Sequence, residues 1–302
     1  MANNFNLTSD WIFGGSTVNA APPDSSLTTN QYYKNLTLNN VTIDTNGFKI
    51  CCSERLVMTN SIIQSAGAPA VDDSGGYSPM LQESPYGAGM SGAFGNSGPG
   101  AADGNPTINT AYNALGGSGG DGGDAGPNFG SLGTFCSIAN PSWQDIFNLI
   151  GGGQYSSEDN GWYPFRAGGG GGAGAKDATS ESSGGGGSGG GVVFIAAPII
   201  EMHQTTYCTI NATGGAGAAA IGPGDAGGDA GGGGGGGGGI VILVYHQLIN
   251  PDAALIIANG GNGGSGVGAG VGGTGGAGGR VILCDLTSGK ITSTVSFDGA
   301  DG

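Results

Sequence analysis

Residues 231–239 are glycine without interruption, and the chain around them alternates glycine tracts with short apolar runs. Ile240-Val241-Ile242-Leu243-Val244-Tyr245 follows the glycines. A turn at Asn250-Pro251-Asp252 leads into Ala253-Ala254-Leu255-Ile256-Ile257-Ala258. A tract over 260–279 then reads largely as Gly-Gly-X. Glycine-rich chain is ordinarily a flexible linker. Two features argue for order here. Gly260, Gly263, Gly266, Gly272, Gly275 and Gly278 share one period-three register, interrupted by Ala269. Gly261, Gly264, Gly270, Gly273, Gly276 and Gly279 share the next, interrupted by Val267. The third register takes Asn262, Ser265, Val271, Thr274 and Ala277. A helix of three residues per turn puts each register on its own face. The second feature is the direct abutment of Val/Ile-rich strand patterns, which linkers lack.

Ordering backbone costs about 1–2 kcal/mol per residue, and glycine loses the most freedom. With 71 glycines in 302 residues and no side chains on them to bury, one isolated tract cannot be stable. Many must pack together and satisfy one another's N–H and C=O groups. The expected fold is mostly β, with strand-pair repeats, packed polyglycine II helices and almost no α-helix.

The strand pair recurs. Ser61-Ile62-Ile63-Gln64, Thr209-Ile210-Asn211-Ala212 and Leu255-Ile256-Ile257-Ala258 read as one element, with a last copy at Val295-Ser296-Phe297-Asp298. Upstream of them, Phe48-Lys49-Ile50, Val192-Val193-Phe194-Ile195, Ile240-Val241-Ile242-Leu243 and Val281-Ile282-Leu283 read as another. Repeats that stack to bury a shared face are the natural interpretation. The division expected is 1–30, an N-terminal attachment segment; 31–68, the first strand repeat; 69–191, a glycine-rich insertion; and 192–302, three further repeats. Within the insertion, Asn140-Pro141 to Gly151 predicts one short helix, with Asn as cap and Gly as stop.

Composition excludes some functions. Net charge is −15 with only 7 Lys plus Arg, which argues against nucleic-acid binding and against attraction to anionic membranes. No apolar run is long enough for a membrane span, and Met1-Ala2-Asn3-Asn4 does not begin a secretion signal. Five cysteines, Cys51, Cys52, Cys136, Cys208 and Cys284, do not form a disulfide framework by spacing. Cys208 and Cys284 fall inside strand patterns and read as buried thiols.

No catalytic constellation stands out, and the expectation is a protein that is not an enzyme and holds no cofactor. His203 and His246 follow strands of their repeats without a ligand-spaced partner. Gly-Gly-Asp-Ala-Gly at 122–126 and 227–231 partly matches calcium-binding nonapeptides, but the full pattern does not run on. Calcium stays open on that ground. The aromatic residues have two readings, local core or contact surface. Trp143 and Phe147 suit the inner face of the short helix. Tyr77, Tyr86, Tyr155, Trp162, Tyr163 and Phe165 sit among Gly, Ser and Pro, the composition of antibody-like binding loops. Arg166 adjoins them and offers a planar hydrogen-bonding fork for an acidic group.

The tracts at 231–279 and 184–217, with the aromatic loops between tracts, resemble the glycine-rich tail-fibre and adhesin proteins of tailed bacteriophages. The resemblance covers roughly residues 69–284 and is one of pattern and composition. It implies polyglycine helices packed as a sandwich, displaying receptor-binding loops. The implied place is a virion tail or fibre acting outside the cell. The implied partners are a host-surface glycan or outer-membrane protein, other fibre or tail proteins through the N-terminus, and copies of itself, a homotrimer favoured. Two alternatives stay open: a structural, self-assembling virion or filament subunit, and an ice-binding polyglycine protein.

Overall fold

The structure is a computed structural model and describes residues 25–72, 93, 95, 116–134, 154–156, 161–163, 168–177, 181–203, 208–222, 228–251 and 254–302. The described residues are mostly β, with no helical element among them. Two sheets carry the stack of repeats. One is parallel and runs β1 (Ser25–Ser26), β3 (Thr42–Asp44), β5 (Ile62–Gln64), β10 (Cys208–Asn211), β13 (Ala254–Ile257). The other is a curled mixed sheet of β2 (Gln31–Asn39), β4 (Lys49–Thr59), β8 (Val192–Ala196), β9 (Ile199–His203), β11 (Ile240–Tyr245), β12 (Gln247–Ile249), β14 (Arg280–Asp285) and β15 (Lys290–Val295).

Recurring chemistry sets the registers. Ile50 pairs with Ile195, Ile195 with Leu243, and Leu243 with Leu283. In the parallel sheet Ile43, Ile63, Ile210 and Ile256 form a ladder of Cα partners. A one-residue slip would turn this ladder out of the core. Leu36, Leu56 and Ile200 form another, with Leu38, Met58 and Met202 beside it. These side chains fill the interior between the two sheets. Val192, Phe194, Ile240, Ile242, Ile282 and Cys284 form a second buried cluster on the opposite face of β8, β11 and β14. Strands buried on both faces read as continuous apolar runs, hence Val-Val-Phe-Ile and Ile-Val-Ile-Leu. Asn40, Asn60 and Asn250 take positive φ at the bends between strands, a conformation asparagine tolerates better than most residues.

Between strands the chain runs out and back as glycine tracts, and these bond to one another. The central tract, 231–239, is saturated. Gly231, Gly234 and Gly237 donate to Ala175, Gly172 and Gly169. Gly232, Gly235 and Gly238 donate to Val271, Thr274 and Ala277. Gly233, Gly236 and Gly239 donate to Ala218, Gly215 and Ala212. Its carbonyls accept in the same rotation from tract 184–190, from tract 117–123, and from Gly264, Gly261 and Arg280. Each period-three register therefore serves one neighbour as donor. Glycine is required by proximity: a methyl group on Gly235 would overlap the Gly261 carbonyl oxygen, and one on Gly236 the Ser188 carbonyl oxygen.

The bonding pattern arranges the tracts in rows. Tracts 168–175, 230–239 and 258–266 form the middle row. Tracts 183–191 and 212–220 lie on one side of it, followed by 65–71. On the other side lie 128–134, 116–125, 270–279 and 296–302. Edge tracts lack a backbone neighbour for every register, and side chains from the third register substitute. Asp121 and Asp124 accept from Gly133 and Gly130, both at 2.8 Å. Asp301 and Asp298 accept from Gly275 and Gly278. Asn262 and Asn259 accept from Ala300 and Phe297.

Several particulars differ from expectation. The 260–279 stretch is two antiparallel tracts, folded at 267–269, where Gly268 has φ +65. Val267 and Ala269, the interruptions of the glycine registers, mark that turn. Ile210 lies beside Ile63 and not Ile62, and Ile43 belongs to the same ladder. The last copy, Val295 to Asp298, adds no strand to the parallel sheet: Val295 ends β15, which pairs antiparallel with β14, and 296–302 runs on as a bonded tract. The helix expected at 140–151 lies outside the described residues.

Candidate functional site

The aromatic insertion contributes one described element pair. β6 (Gln154–Ser156) and β7 (Gly161–Tyr163) form an antiparallel ribbon separate from the other sheets. Its Cα partners are Gln154 with Tyr163, Tyr155 with Trp162, and Ser156 with Gly161. The backbone thus brings together three of the expected contact residues, Tyr155, Trp162 and Tyr163. Tyr77, Tyr86, Phe165 and Arg166 lie outside the described residues. The segment carrying the ribbon is held at both ends by the bundle: Thr134 donates to Gly170, and Gly168 donates to Gly190. Gly190 lies two residues before β8, so both anchors stand at the strand end of the bundle.

The turns at the far end gather charge. Lys176 is buried, and its Nζ donates to the Glu181 carbonyl at 3.2 Å. Glu181 is 3% exposed, and both its carboxylate oxygens lack a hydrogen-bond partner among the described residues. Burial raises its pKa, the Asp177 and Asp229 charges raise it further, and Lys176 opposes them. Asp177 accepts the Asp229 N–H at 2.5 Å, and Asp229 accepts the Ala269 N–H at 2.7 Å. The aspartates of the two Gly-Gly-Asp-Ala-Gly segments, Asp124 and Asp229, therefore each hold a backbone N–H across a turn. That role was not legible as a motif, because the partner glycine or alanine comes from another tract. Among the described residues no three His, Cys, Asp or Glu side chains are placed to hold a metal ion.

The two histidines are not equivalent. His203 ends β9, with Nε2 2.9 Å from Glu201 Oε1, and Arg55 Nη1 lies 3.5 Å from the other oxygen. His246 precedes β12, donates its N–H to the Pro198 carbonyl, and accepts the Thr287 hydroxyl on its own carbonyl at 2.8 Å. Cys51, Cys52, Cys208 and Cys284 are free thiols. Burial pushes the Cys51 and Cys284 thiols up to about 11 and Cys52 to about 12, which disfavours thiolate chemistry at neutral pH. Cys136 lies outside the described residues. Among the described residues no helix is long and apolar enough to cross a membrane.

Compared with known proteins, the chain matches no family model, no curated protein and no solved structure.

Proposed function

We propose that this chain is a virion fibre or fibre-tip protein that binds a host cell-surface receptor through aromatic loops held on a rigid glycine scaffold. The observation that carries the reading is the saturated tract 231–239, in which each register donates to a different neighbour. We read the tracts as polyglycine II helices, whose three-residue turn produces that rotation. A rigid base lowers the ordering penalty of a binding loop. The Tyr155–Trp162 pairing supplies such a loop with two large rings on adjoining strands. The receptor class that suits neutral, aromatic-rich loops is a glycan or an outer-membrane protein loop. The segment 1–30 is assigned to attachment within the virion, and a homotrimer is the favoured assembly.

The test is a Trp162→Ala/Tyr163→Ala double variant, assayed as labelled protein on a panel of bacterial cells. Lost binding at an unchanged melting temperature is the expected outcome. Retained binding removes the ribbon as the site. Unfolding assigns the rings to core. Self-assembly without a receptor is a second reading, favoured by β15, whose side chains are largely exposed along an edge strand. Filaments of purified protein in electron micrographs would select it.

A further inference from the structure

We propose that the outer row of the glycine bundle is a docking face for a protein partner that presents basic side chains interspersed with apolar ones. The proposal does not rest on the aromatic ribbon. The row consists of the tracts 128–134, 116–125, 270–279 and 296–302, and Asp121, Asp124, Val271, Thr274, Asp298 and Asp301 are exposed on it. Phe129 is 69% exposed, Leu132 73% and Val271 57%. Exposed apolar residues scattered singly need no explanation, but a rimmed group on one face marks an interaction surface.

The acids stand between them in a fixed pattern. Asp124 accepts the N–H of Gly130, next to Phe129, and its own carbonyl accepts the Val271 N–H. One step along, Asp121 accepts the N–H of Gly133, next to Leu132, and its carbonyl accepts the Thr274 N–H. On the far side of tract 270–279, Asp301 accepts from Gly275. In each, Oδ1 is engaged by backbone, which holds the carboxylate on an ordered tract. No Lys or Arg occurs in 116–134, 270–279 or 296–302. The face therefore carries charge of one sign, within a chain of net charge −15. Like charges oppose a second copy on the same face, whereas a basic partner gains both steering and register. The apolar residues supply the area that such a partner would bury.

The experiment uses the full chain and an immobilised peptide of alternating Lys and Leu. A Glu/Leu peptide serves as the reference, and binding is read optically at low and high salt. Binding to the Lys/Leu peptide alone, lost at high salt, is expected. Asp121→Asn/Asp124→Asn/Asp301→Asn keeps each Oδ1 acceptor while removing the charge, so the fold is retained. It should weaken binding about tenfold or more. Phe129→Ser/Leu132→Ser should weaken it as well. A control triple of equal charge change, Glu54→Gln/Glu201→Gln/Asp285→Asn, should leave it intact. An equal loss in the control reduces the effect to net charge and overturns the proposal. So does the absence of binding, or indifference to the Phe129/Leu132 change. A wild-type dimer in sedimentation that the Asp121/Asp124/Asp301 triple dissociates would overturn it in favour of a second copy on this face.

Discussion

Asp124 accepts the backbone N–H of Gly130 at 2.8 Å, from a tract that runs antiparallel to its own. The side chain stands where a further tract would stand deeper in the bundle. The non-glycine residue of Gly-Gly-X is thus a substitute for a missing neighbour. Removing the acceptor, as in Asp124→Ala, is expected to destabilise by about 1 kcal/mol at this exposed edge. Asp124→Asn retains an acceptor oxygen and should stay within about 0.5 kcal/mol of the parent. Chemical denaturation of both variants checks the difference.

The central glycines tolerate no side chain. Gly235→Ala would bring Cβ into the Gly261 carbonyl oxygen, and the backbone there is held from several sides. The expected result is a loss above about 3 kcal/mol or no soluble protein. Gly289→Ala has open space around it and only its φ of +68 to resist it, which predicts about 1–2 kcal/mol. Melting curves of the two variants should differ accordingly.

Hydrogen exchange should grade the tracts by row. Amides of 231–239 donate to three different tracts and are expected to exchange only on global opening. Amides of 296–302, at the edge, should exchange faster, and those of 260–279 should lie between. Random-coil rates across 231–239 would refute an ordered bundle.

Glu181 is a carboxyl whose folded pKa is raised, by burial first and then by Asp177 and Asp229. A raised carboxyl favours the folded state fully below its unfolded pKa, and that contribution disappears as pH rises through the folded value. Above its unfolded value the raised group therefore opposes folding. Glu181→Gln is expected to melt higher than the parent at pH 7. The gap should close as pH falls below about 4.5, where the parent is protonated in both states. Equal melting temperatures at pH 7 would show that the carboxylate has found a partner in solution.

The desolvated thiols give the alkaline counterpart. The Cys51, Cys52 and Cys284 values are raised to about 11, 12 and 11 from 9.0. Their contribution to stability is complete below pH 9 and declines as pH climbs through the folded values. A thiol reagent at pH 8 should label buried Cys52 and Cys284 only after denaturation, while half-buried Cys51 reacts sooner. Rapid labelling of Cys52 or Cys284 in the native protein would contradict their burial.

Periodicity carried much of the fold. The period-three glycine registers specify tracts that share out their hydrogen bonds by face, and the alignment of Ile50 with Ile195, Leu243 and Leu283 appears as strand register. Local sequence repeats encode such features because each copy meets the same surroundings. Other features depend on residues far apart in the chain. Val267 and Ala269 read as lapses in a glycine pattern, and only the return of 270–279 against 258–266 makes them a turn. Ile210 sits opposite Ile63, one step from its closest sequence match, because core burial and not residue likeness selects the register. Composition marks Tyr155 and Trp162 as candidate contact residues, while their pairing is a backbone fact. Asp121, Asp124 and Asp301 look like solvent-facing acids in the linear chain. Their bonding to Gly133, Gly130 and Gly275 exists only once the tracts lie side by side, since a short side chain reaches a backbone N–H only across van der Waals contact.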